Sequence, residues 1–236
     1  MEKGNFSAFA GLLLDADDIL YDASSWRRWL VRVLGRFGVY IPDVCFCRVW
    51  EQEYAQDVYR GRREFAEALG AFLLALGLRR GQIVEVLAAV QGRLRCLGES
   101  ARPLPGVKST LPRLCELGLK MAVVVNSARP ASEIREHLEQ LRIGAFFQTV
   151  VSSRDLGVPK PAPLPYWIAL RELSLRPEEA GFVGHHAEDL AGAAAVGLRT
   201  IAFHCDPCVQ ADILLYRFED LLGVVRTGSS KYAAAG

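Results

Sequence analysis

Short apolar runs that end in polar or glycine residues recur along this chain, and most are followed by residues with helical spacing. This alternation predicts a parallel sheet with helices on both faces. The runs place strands near Ala10 to Leu14, Lys120 to Val125, Gln148 to Val151, Gly181 to Val183, Thr200 to Phe203 and Ile213 to Leu215. The spacing between them predicts helices over Val107 to Leu117, Ala131 to Leu141, Pro163 to Leu173 and Glu188 to Val196. Functional residues of such sheets sit just beyond the carboxyl ends of the strands.

The alternation breaks once, between about residues 23 and 99, where the pattern is helical throughout. Apolar residues at helical spacing run through Trp26 to Phe37, Val44 to Val58, Arg63 to Leu76 and Gly81 to Leu97, which reads as a four-helix insert. Its exit, residues 100–106, carries Pro103, Pro105 and Gly106 and suits a hinge back into the sheet. The expected division is therefore residues 1–22 and 100–226 as one α/β unit, 23–99 as the insert, and 227–236 as a frayed, alanine-rich tail.

With 51% hydrophobic residues in 236, the chain can bury a sizeable core. A net charge of +1 provides no global field to attract nucleic acid or an anionic membrane, so neither is an expected partner. The first apolar stretch is cut at Asp15, Asp17 and Asp18, unlike a signal peptide or a membrane span, and a cytoplasmic location is expected. The six cysteines then read as reduced thiols; the close pairs Cys45/Cys47 and Cys205/Cys208 are too isolated in sequence to be a persuasive zinc site.

Chemistry concentrates at the end of the first predicted strand, where Asp15 and Asp17 stand two apart. Two acids at that spacing repel one another unless a cation, a proton or a cationic side chain lies between them. Asp15-x-Asp17 after an apolar strand resembles the first motif of the haloacid dehalogenase superfamily, and later segments follow in the family's order. Pro105-Gly106-Val107 and the strand Met121 to Asn126 resemble the second-motif region, Lys160 in Leu156-Gly-Val-Pro-Lys-Pro161 resembles the third-motif lysine, and Gly181 to Leu190 resembles the fourth-motif strand and acidic loop. The resemblance implies a Rossmann-like, doubly wound parallel sheet with a helical cap inserted after the first strand, of the capped subfamily I type.

It also implies roles. Asp15 matches the nucleophile that forms an aspartyl-phosphate, Asp17 the acid and then base, and Lys160 the cation that neutralises charge at the reacting group. Asn126 and Ser127 match substrate-binding positions, and the glycine-hinged turn Tyr59-Arg60-Gly61-Arg62-Arg63 is the candidate cap loop that reads an anionic substrate. Trp26, Trp29 and Trp50 read as cap core. The implied metal is Mg2+, with Asp15, Asp17, His185 and Asp189 as the candidate ligands.

Three positions depart from the family pattern. Ile19 stands where a threonine is usual, Val125 where the second-motif strand ends in a hydroxyl residue, and His185 where an aspartate binds magnesium directly. Imidazole suits softer ions than magnesium, so weak Mg2+ binding or replacement by Mn2+ or another divalent ion is expected. The leading expectation is a phosphomonoester hydrolase acting on a small phosphorylated metabolite. A non-catalytic relative that binds a ligand or partner, a metal-free haloacid dehalogenase and a phosphomutase remain open alternatives.

Overall fold

The structure, a computed structural model, describes residues 9–23, 25–100, 102–204 and 209–227, with side chains except at 96–100. The tail after Thr227 and the Cys205/Cys208 pair lie outside the described residues, while Cys45, Cys47 and Cys115 are free thiols.

Six parallel strands form one sheet: β1 (Gly11–Leu14), β2 (Lys120–Val125), β3 (Thr149–Ser152), β4 (Ala180–Gly184), β5 (Arg199–Phe203) and β6 (Ile213–Leu215). Their order is β3-β2-β1-β4-β5-β6, and β1 pairs with both β2 and β4, Leu14 lying opposite Val123 on one side and Val183 on the other. Successive strand residues point to opposite faces. Leu12 and Leu14 therefore join Met121, Val123, Ile201 and Phe203 in one apolar cluster, and Leu13 joins Ala122, Val124, Phe182 and Ala202 in the other. Helices α6 (Val107–Glu116), α7 (Ala131–Gln140) and α11 (Leu221–Thr227) fill the first cluster; α9 (Pro163–Leu173) and α10 (Ala187–Val196) fill the second. Burial of each such leucine stabilises the fold by about 1.5–3 kcal/mol.

The insert comprises α1 (Ser25–Gly35), α2 (Asp43–Val49), a π-helical turn (Trp50–Tyr54), α3 (Ala55–Tyr59), α4 (Phe65–Ala75) and α5 (Arg80–Ser100). It buries its own cluster, including Leu30, Phe46, Trp50, Phe72 and Val90. The predicted second helix, Val44 to Val58, is thus two helices joined by a π turn, a wider turn that hydrophobic spacing does not reveal. Two short helices were not predicted, α8 (Ser153–Leu156) and α11; four residues in α8 carry too little periodicity to read.

Candidate active site

β1 lies where strand order reverses, the position at which open α/β sheets present ligand sites. Asp15 follows it directly, and its backbone N–H donates to the Val183 carbonyl at 2.9 Å. The chain then turns sharply. Asp18 adopts a left-handed backbone (φ 57), which Asp tolerates better than most residues, its N–H donates to the Tyr21 carbonyl at 2.9 Å, and its Oδ1 accepts the Ala23 N–H at 2.9 Å. Ile19, at the position where the resemblance implies threonine, is fully buried in the sheet cluster and contributes packing.

Lys160, 145 residues further on, brings a buried ammonium to this point. Its Nζ lies 2.6 Å from Asp15 Oδ2 and 2.9 Å from Asp189 Oδ2. Burial opposes the Lys160 charge, but the two carboxylates outweigh it and raise its pKa. Burial pushes Asp15 above the usual carboxylate range, with Lys160 opposing. Asp17 is pushed up to about 6, first by burial and then by the charges of Asp15 and Asp18, against a hydrogen bond with the Tyr21 hydroxyl and the field of Arg129.

Asn126, just past β2, fastens the lysine's backbone: its Nδ2 donates to the Lys160 carbonyl at 3.0 Å, and the Lys160 N–H donates to its Oδ1 at 2.8 Å. Ser127 holds the next loop, its N–H donating to Ser153 Oγ at 3.1 Å and its Oγ accepting the Arg129 N–H at 3.0 Å. Val125 points into the core.

At the end of β4, His185 Nδ1 is buried without a hydrogen-bond partner, and burial followed by the nearby charges of His186 and Lys160 lowers its pKa to about 2. His185 is therefore neutral. Asp189 lies in the first turn of α10, its carbonyl accepting the Tyr166 hydroxyl at 2.7 Å. Asp15 and Asp189 both present an oxygen to the Lys160 ammonium, and among the described residues no three His, Cys, Asp or Glu side chains converge to hold a metal. The set Asp15, Asp17, His185 and Asp189 does not fit a magnesium ion, which prefers several oxygen ligands at short, regular distances.

Two cavities meet at this site, of about 490 and 440 Å3, and both are lined by Asp17, Arg27, Tyr59 and Asn126. The smaller contains Asp15, Lys160, His185 and Asp189; the larger extends to Trp26, Trp50 and Phe65. Tyr59 is thus at the site, its hydroxyl donating to Glu51 Oε2 at 2.8 Å. Arg60, Arg62 and Arg63 line neither cavity; their turn leads into Glu64, which pairs with Arg154 at 2.9 Å. Sequence reading missed Arg27, which reaches Asp18 at 3.3 Å and Glu51 at 3.5 Å, as well as Tyr21 and Arg129. An arginine between two tryptophans carries no local signal of such a role.

The doubly wound sheet agrees with the comparisons. The chain belongs to the haloacid dehalogenase-like hydrolase family, whose model matches residues 76–203. That segment contains Lys160, His185 and Asp189 but ends short of Asp15 and Asp17 on the N-terminal side. A phosphoglycolate phosphatase of Pectobacterium atrosepticum is 34% identical over 131 residues, 52% of this chain and 55% of that enzyme, so the match spans about half of the relative's length. A glyceraldehyde 3-phosphate phosphatase of Methanopyrus kandleri is 31% identical over 198 residues, 80% of this chain and 82% of that enzyme. The crystal structure of a subfamily IA hydrolase of this superfamily from Geobacter sulfurreducens superposes with a TM-score of 0.65 at 19% identity, covering 94% of this chain and 99% of that one, and shares the fold. Among the described residues no helix is long and apolar enough to cross a membrane.

Proposed function

We propose that this chain hydrolyses a phosphomonoester of a small metabolite through an aspartyl-phosphate on Asp15. The observation that carries the reading is the buried Lys160 ammonium between the carboxylates of Asp15 and Asp189, with Asp17 two residues past Asp15 in the same turn. Asp15 Oδ attacks phosphorus while the bond from phosphorus to the leaving oxygen breaks, and Asp17 transfers its proton to that oxygen. Asp17, now a carboxylate, takes a proton from water; the hydroxide attacks the phosphoryl group and releases inorganic phosphate from Asp15. Lys160 offsets negative charge on Asp15 and on the phosphoryl oxygens, and Asn126 keeps the lysine backbone in place. The phosphatase names of the two curated relatives support a phosphorylated small-molecule substrate.

Acid-quenched turnover of phenyl phosphate should leave a phosphoryl group on Asp15, detected by tandem mass spectrometry, and Asp15→Asn should leave none. A phosphoryl group on another residue, or full turnover by the variant, would overturn the assignment. A second reading, a ligand-binding relative without turnover, is favoured by the neutral His185 at the expected metal-ligand position; absence of turnover with every metal tested would support it.

A further inference from the structure

The larger cavity has a composition that the proposed chemistry does not require. About 490 Å3 lies in the range that encloses drug-sized ligands, and a leaving group of two or three carbons would leave most of it to water. Its far wall is aromatic and locked by edge-to-face contacts: Trp26 to Trp50 at 6.1 Å, Trp26 to Phe65 at 5.5 Å and Trp50 to Phe65 at 5.5 Å between ring centroids. On the sheet side, Tyr21 and His137 form a further edge-to-face pair at 4.9 Å and line the same space. The half-buried Trp26 and Phe65 therefore offer ring surface to this space, which water solvates poorly and another ring covers well, while Tyr21 and His137 close it from the other side with little exposure. Asp17 lies on the lining between this space and the cavity of Asp15 and Lys160, where a leaving oxygen bonded to phosphorus would lie.

Resting on the phosphatase reading, we propose that the leaving group is an aromatic alcohol, a ring carried one or a few bonds from the phosphorylated oxygen and seated between Trp26 and Phe65 on one side and Tyr21 on the other. Polar ends remain at the rim in Gln91 and Arg95, so the ring can bear polar substituents.

The test separates ring recognition from intrinsic reactivity by comparing alkyl phosphates of similar leaving ability. The value of kcat/KM for 2-naphthylmethyl phosphate should exceed that for glycerol 3-phosphate and for phosphoglycolate by about tenfold or more. Trp50 is buried in the insert core, so the variants are the half-buried Phe65→Leu and the cavity-filling Ala128→Leu, each checked by thermal melting. Both should lower the naphthylmethyl-to-glycerol ratio severalfold. Equal or reversed preference in the wild type, or an unmoved ratio in both folded variants, overturns the inference while leaving an Asp15-phosphoryl intermediate intact. Calorimetry with Asp15→Asn, comparing 2-naphthylmethylphosphonate with methylphosphonate, reads the same pocket without turnover. Tighter binding of the naphthyl probe supports the inference, and equal binding overturns it even if no substrate is hydrolysed.

Discussion

Asn126 and Lys160 hold each other by two reciprocal hydrogen bonds, side-chain Nδ2 to main-chain carbonyl at 3.0 Å and main-chain N–H to side-chain Oδ1 at 2.8 Å. The amide at the end of β2 thus fixes the backbone from which the buried ammonium extends to Asp15 and Asp189. Asn126→Ala removes both bonds and leaves the Lys160 N–H and carbonyl without these partners, at a cost of about 1–3 kcal/mol. Turnover should fall by about 10- to 100-fold, since a misplaced catalytic group forfeits orientation. Asn126→Asp keeps the acceptor but loses the donor and should fall between. Thermal melts alongside kcat for the two variants check this; wild-type kcat in folded Asn126→Ala would remove the positioning role.

Asp17 gives a prediction with opposite signs for activity and stability. Its folded pKa, about 6, lies above the ordinary value of 3.8, so the folded chain holds the proton more tightly than the unfolded chain does. This group's contribution to stability is full below 3.8 and is lost as pH rises through about 6. In the proposed mechanism the protonated form donates to the leaving oxygen, and it disappears over the same upper range, so kcat/KM for an alkyl phosphate should decline above about pH 6. Asp17→Asn should abolish that turnover yet melt at a higher temperature than the wild type at pH 8, with a smaller difference at pH 5. A melting difference that does not change between the two pH values would refute the burial assigned to this carboxylate.

Much of this was legible in the chain. Six apolar runs gave the six strands within a residue or two, because strands buried on both faces need no alternation to be seen. Asp15, Lys160 and Asp189 were legible through their resemblance to family motifs, and they converge in space. The clasp of Asn126 on Lys160 spans 34 residues, and the reach of Arg27 to Asp18 and Glu51 depends on helix placement, so neither has a local signature. The arginines at 60, 62 and 63 illustrate the converse: charge in a glycine turn is visible in sequence, but the direction it faces is not. Trp26 and Trp50, expected only as insert core, also line the larger cavity.

His185 makes the most direct test of the altered fourth motif. His185→Asp would add a third carboxylate near Asp15 and Asp189, replacing a neutral ring whose Nδ1 has no hydrogen-bond partner. Hard oxygen ligands favour magnesium over nitrogen donors. Magnesium should raise the melting temperature of the variant by several degrees while leaving the wild type almost unmoved, and magnesium-dependent turnover should appear or increase. If neither property responds, the histidine is not what limits the site, and the apolar Val125 at the end of β2 becomes the stronger explanation.

The two cavities meet at Asp17, but their walls come from different parts of the chain. Asp15 follows β1, Lys160 lies in the loop between α8 and α9, and Asp189 sits in the first turn of α10, whereas Trp26, Trp50 and Phe65 belong to helical segments with a separate apolar cluster. On the proposed reading, drift in those helices changes which molecule is admitted without disturbing how its phosphate is removed. A lineage carrying this fold could acquire new diets by altering its insert alone, and the inherited reaction would survive the experiment.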